Sequence, residues 1–209
     1  MTVAVTGASG YLGEYVTDEL LRRGRDVVAF DISPSTRLEA RAADTPALAV
    51  ERGDMTAFAD VSNAVTEHDV SEVVHLAYFG VAKPGLMHAA EEQPYRAAAT
   101  NVTGFDNVVE AARQLELDTV VAASSTVVYG PPSYYDELGI DVVDETAPMA
   151  PETMYGACKV MNEHVAAKYR ELYDLDLACV RLPLIYGPNR YEGAAPFIVE
   201  LFEIGRAHV

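Results

Sequence analysis

Tryptophan is absent from this chain, cysteine occurs twice, and lysine occurs only at Lys83, Lys159 and Lys168. Cys158 and Cys179 are too few for a disulfide framework or a cysteine-rich zinc cluster, so no metal and a reducing, cytoplasmic setting are expected. No apolar run approaches the ~20 residues of a membrane span, and no charged leader with an apolar stretch precedes the first strand-like run. Neither membrane insertion nor export is therefore expected. Positive charge is scarce: 15 basic residues against 32 acidic ones leave a formal charge of -17, which repels phosphate backbones and anionic headgroups. Neither nucleic acid nor a membrane surface is therefore expected as a partner.

Short β-branched runs do recur, at 2–6, 26–31, 47–51, 72–77, 119–125 and 176–182. Helix-compatible segments lie between most of them, at 11–23, 60–68, 95–115 and 155–173. Strands that alternate with helices, several of them apolar on both faces, predict an α/β fold with a doubly wound parallel sheet covered on both sides. Proline and glycine cluster at 80–94, at 130–151 and after 183, giving three long loops. In such sheets ligands sit beyond the carboxyl ends of the strands, where these loops would hold a substrate.

The first strand runs straight into "TGASGYLG", which sets Gly7, Gly10 and Gly13 three apart before a helix. Glycines there permit a tight turn and close approach of backbone amides to a pyrophosphate, and the helix N-terminus adds partial positive charge. A glycine-rich turn without a ligand would use the same residues. Asp31 ends the second strand about 20 residues later, placed to accept from ribose hydroxyls and to repel a 2′-phosphate. As an alternative it is a helix cap before Ser33 and Pro34. Glycines and acid together favour NAD over NADP, with no arginine adjacent in sequence and Arg37 the residue most able to upset that preference.

The ordered set "TGASGYLG", the strand-end aspartate, "GDM" (53–55), "HLAY" (75–78), "NVTG" (101–104), "SSTVVYG" (124–130), "YGACK" (155–159) and "RLPLIYGP" (181–188) resembles the extended short-chain dehydrogenase/reductase family. More narrowly it is similar to the NAD-dependent epimerase/dehydratase branch, and the resemblance covers nearly the whole chain. It implies a Rossmann-like fold over 1–182 and the start of a substrate-binding region at 183–209. Tyr155 and Lys159 stand four apart on one helix face, where an ammonium is expected to lower the phenol's pKa and let it take a substrate proton. By the family pattern Ser125 steadies the same substrate oxygen, and Lys159 also holds the nicotinamide ribose. The resemblance further assigns Tyr11, Leu12, Asp54, Met55, Leu76, Ala77 and Pro183 to the cofactor, Thr126 to the substrate, and Asn101 to support of the active-site helix. Tyr134 and Tyr135 are candidates for sugar or nucleotide contact. His75 and Cys158 read as packing residues.

The implied reaction is epimerisation or dehydration of a nucleotide sugar through transient hydride transfer to bound NAD. Leu184 departs from the pattern, because the sugar-nucleotide epimerases usually carry a substrate-contacting asparagine there. A dehydrogenase or reductase of a smaller hydroxy compound is therefore the second reading, and an NAD-binding sensor without turnover the third; Ser125, Tyr155 and Lys159 together argue against a sensor. The helices at 95–115 and 154–173 correspond to those that form a homodimer in the family. The resemblance ends where substrate domains begin, so a truncated chain is expected, with a loop at 187–199 lacking a packing partner and an exposed apolar helix face at Phe197, Ile198, Leu201 and Phe202.

Overall fold

The computed structural model describes residues 1–80, 85–188 and 190. Six strands form one parallel sheet: β1 Thr2–Thr6, β2 Asp26–Asp31, β3 Leu48–Arg52, β4 Val70–His75, β5 Thr119–Ser125 and β6 Leu177–Leu182. Their order is β3-β2-β1-β4-β5-β6, so the direction of winding reverses between β1 and β4. This is the doubly wound Rossmann order, with its ligand crevice at the carboxyl ends beside that reversal.

Helices cover both faces. α1 (Tyr11–Arg22) and α2 (Thr36–Asp44) enclose a core of Val5, Val27, Ala29, Leu38 and Leu48. On the other face α3 (Phe58–Glu67), α6 (Gly104–Gln114) and α8 (Met154–Tyr173) meet Phe30, Val73, Phe105 and Val120. Val5, Val27 and Val120 are at most 1% exposed, and each such side chain stabilises the fold by about 1.5–3 kcal/mol on leaving water. Burial on both faces is why β1 and β2 are buried without alternation, whereas β5 alternates between buried and partly buried positions. No helix among the described residues is long and apolar enough to cross a membrane.

The structure departs from the sequence-based expectation in three places. α2 occupies a stretch in which no helix is predicted, because it buries only Leu38; its signal is the cap, Ser35, whose hydroxyl accepts from Leu38 N. Short helices α4 (Leu86–Glu92) and α7 (Pro132–Glu137) lie within the expected loops. The single helix expected over 95–115 is α5 (Pro94–Ala98), a π-helical turn at Ala99–Thr103 and then α6. Such turns recur at functional sites, and Asn101 sits inside this one.

Candidate active site

The glycine turn is built so that a side chain at two of its positions would collide with backbone. Gly7 has φ +69° and a Cβ on it would lie 2.8 Å from both N and Cα of Ala77. A Cβ on Gly13 would run into the carbonyl oxygen of Gly7 and lie 2.7 Å from the Cα of Ala8. Gly10 caps α1 without offering a side chain, so no side chain takes the first-turn amides at Tyr11 and Leu12. Bare amides, positive helix end and backbone close approach fit a dinucleotide pyrophosphate. Thr6 fixes the opposite wall: its hydroxyl accepts from the amides of Leu76 and Ala77, at 3.2 and 3.3 Å. The loop after β6 closes over the same helix end, where Tyr11 and Tyr15 each donate to the Pro188 carbonyl at 3.2 Å and Arg190 lies over the Tyr11 ring. Residues 187–188 and 190 therefore do have a packing partner, contrary to the expectation for 187–199; the rest of that loop and the helix face expected from Ala195 lie outside the described residues.

Asp31 stands at the crevice with both carboxylate oxygens engaged, accepting from Ser9 N at 3.0 Å and Ser33 N at 2.9 Å. It thus ties the glycine turn to the start of the β2–α2 connection. The sheet register sets Arg52 opposite Asp31, a cationic neighbour that the linear sequence does not reveal. Arg37 is paired with Glu14 at 2.9 Å. Asp54 accepts from the Thr56 amide and hydroxyl, while Met55 is buried against Gly104 and its carbonyl accepts from Asn107. Met55 therefore faces the core with its side chain and the crevice at most with its backbone.

From Ala77 the chain leads to Tyr78, whose ring centroid is 6.4 Å from that of Tyr155. Tyr155 and Lys159 lie on the inward face of α8, 8% and 3% exposed. Lys159 Nζ donates to the Ala123 carbonyl at 2.7 Å and stands 5.5 Å from the centre of the Tyr155 ring. The expected lowering of the phenol's pKa by this ammonium is not found. Burial raises Tyr155 well above the ordinary tyrosine value and Tyr78 adds to the rise, with only a hydrogen bond from Ser125 pulling downward. Burial likewise pulls Lys159 down, to about 8. Desolvation thus outweighs the attraction expected from spacing alone, and both groups are pushed toward their neutral forms.

Ser125 ends β5 and its hydroxyl also accepts from Val127 N, opening a 3₁₀ turn at Thr126–Val128 that leaves Thr126 exposed. Asn101 supports α8 through its carbonyl, which accepts from Asn162 at 2.8 Å, and its side chain accepts from Phe79 N. One turn beyond Lys159, Glu163 accepts from Ser124 and takes both Nε and Nη2 of Arg181, which also reaches Tyr129 and the Glu145 carbonyl. Glu163 is not among the residues singled out from sequence; its signal is the i,i+4 spacing from Lys159. His75 is fully buried, hydrogen-bonded to Thr6 and held neutral by burial and by Lys159, down to about 3. Tyr135 is no candidate for ligand contact: it is 3% exposed and its hydroxyl bridges Gly130 N and the Pro148 carbonyl. Tyr134 packs on it edge to face. Pro183 and Leu184 are exposed, the latter at 48%. Among the described residues no group of three or more histidine, cysteine or acidic side chains could hold a metal.

The family model of the NAD dependent epimerase/dehydratase family matches residues 3–201 of the chain. UDP-glucose 4-epimerase from Mycolicibacterium smegmatis is 31% identical over 205 residues, which are 97% of this chain and 62% of that protein. The crystal structure of UDP-glucose 4-epimerase from Thermus thermophilus in complex with NAD aligns with TM-score 0.79 and 26% identity, over 96% of this chain and 61% of that one. MoeE5 in complex with UDP-glucose and NAD aligns with TM-score 0.73 and 29% identity, over 97% and 60%. The chain thus spans about 60% of the length of these relatives.

Proposed function

Because the chain belongs to the NAD-dependent epimerase/dehydratase family, we propose that the protein binds NAD in the glycine cradle and acts on a nucleotide sugar by transient oxidation at a hydroxyl-bearing carbon. The observation that carries this reading is the meeting of Ser125, Tyr155 and Lys159 at the carboxyl end of β5, joined to the cradle through Leu76, Ala77 and Tyr78. Gly7, Gly10, Tyr11, Leu12 and Gly13 would hold the pyrophosphate, Asp31 and Asp54 the adenosine side, and Pro183 the nicotinamide end. NAD, when bound, supplies the reversible hydride acceptor.

Tyr155, acting as its phenolate, takes the proton of the substrate hydroxyl and returns it when the carbonyl is reduced again; burial opposes that charged form. Ser125 holds the same oxygen, which fixes the distance across which the proton moves. Lys159, anchored on the Ala123 carbonyl 5.5 Å from the centre of the phenol ring, would hold the nicotinamide ribose and, when protonated, favour the phenolate that burial disfavours. Thr126, exposed beside Ser125, and Leu184 at the mouth would meet the sugar. A dehydrogenase acting on a smaller hydroxy compound is the second reading, favoured by the apolar, half-exposed Leu184. A homodimer through α6 and α8 is part of the proposal, supported by Met161 at 49% exposure on the outer side of α8.

Incubating the full-length protein with NAD and a panel of UDP-, GDP- and dTDP-sugars tests the reading. Altered sugar without net NADH is the expected result. NADH that accumulates only with small hydroxy acids or polyols would favour the second reading.

A further inference from the structure

We propose that Glu14 is a cofactor-selectivity residue, a clasp that withholds Arg37 from the 2′-phosphate position and so keeps the site an NAD site; the inference rests on the reading of the glycine cradle above. A hydrogen-bonded chain links Glu14 to Asp31. Asp31 accepts from Ser9 N, the Ser9 hydroxyl accepts from Ser35 N at 2.9 Å, and Ser35 faces Glu14 at 3.5 Å. Arg37 enters on the first turn of α2, directly after this connection, and its guanidinium is held by Glu14 Oε2 at 2.9 Å.

The electrostatic consequence has two parts. A 2′-phosphate brings close to two negative charges to the ribose end, where Asp31 already repels it. An arginine released there would offset that repulsion, since a guanidinium matches a phosphate in a bidentate fork. Glu14, with its side chain 24% exposed, engages Nη1 of that guanidinium through Oε2 and adds a further negative charge in the first turn of α1. Arg52, opposite Asp31 across the sheet, makes no ion pair among the described residues. It is therefore a rival source of phosphate affinity that the test must separate from Arg37.

The test is calorimetric titration of NAD⁺ and NADP⁺ into this chain and into four variants at low salt. Glu14→Gln keeps the shape of the side chain and should tighten NADP⁺ roughly fivefold, the scale of one exposed charge pair, with NAD⁺ within twofold of the parent. Glu14→Gln with Arg37→Ala should abolish the gain, while Glu14→Gln with Arg52→Ala should retain it. Arg37→Ala alone should leave NADP⁺ affinity unchanged, because the guanidinium is already withheld. Normal NAD⁺ binding with unchanged NADP⁺ affinity in Glu14→Gln, or a gain that disappears with Arg52 instead of Arg37, overturns the proposal. A parent chain that binds neither dinucleotide overturns the cradle reading and this inference with it.

Discussion

Tyr155 and Lys159 occupy their places because α8 turns one face inward, and that burial alters both groups in the same direction, toward neutrality. Their spacing is legible in the sequence; the sign of the net pKa effect is not, because it depends on desolvation by distant segments and on the charge interaction with Tyr78. Tyr155→Phe in the full-length protein should lower kcat by at least about a hundredfold, the scale of a lost general base, with NAD affinity within twofold. A variant that retains most of its kcat would remove Tyr155 from the chemistry. His75 gives a second residue-scale expectation. Its folded pKa is depressed to about 3 from 6.5, so between those values the unfolded chain binds a proton that the folded one refuses. Stability from this group is intact above pH 6.5 and is lost as pH falls toward 3, by up to about 1.4 kcal/mol per pH unit. Urea unfolding at a series of pH values should show a shallower acid slope for His75→Asn; equal slopes would contradict the assignment.

At the scale of elements, the β1–α1 turn and the anchorage of α8 position the site. Gly13→Ala puts a methyl group against the Gly7 carbonyl and Ala8, a backbone clash costing about 1–3 kcal/mol if the turn opens. Thermal unfolding should register that loss and NAD titration should show at least about tenfold weaker binding. The Glu163–Arg181 pair, with side chains 12% and 18% exposed, joins α8 to β6 and to Ser124 beside Ser125. Glu163→Gln removes the counter-charge and should destabilise the fold by about 3 kcal/mol, a drop in Tm of roughly 6–12 °C for a chain of this size. Strands β1 and β2 and the glycine turn are readable because burial on both faces writes continuous apolar runs and because Gly7 and Gly13 have no tolerable side chain. Helix α2 is not, since Leu38 is its one fully buried residue, with Ala42 only partly buried against the same core. The π turn at Ala99–Thr103 is not either, since no local residue pattern distinguishes it from the helices it joins. Arg52 beside Asp31 is a product of strand register, which no linear distance encodes.

For the whole molecule, a formal charge of -17 on 209 residues and the single parallel sheet accord with the proposed small-molecule chemistry at the carboxyl edge. If α6 and α8 pair with a second copy, light scattering at micromolar concentration should report twice the monomer mass; a monomer would remove the dimer from the proposal. The proposed chemistry stands or falls on a hydride that leaves the sugar and returns within one turnover. A UDP-sugar carrying deuterium at the reacting carbon, incubated with NAD and the full-length protein, puts that step in view by mass spectrometry of sugar and cofactor. The label should stay with the altered sugar and NADH should not accumulate, whereas deuterium passing into a growing pool of free NADH would contradict transient oxidation.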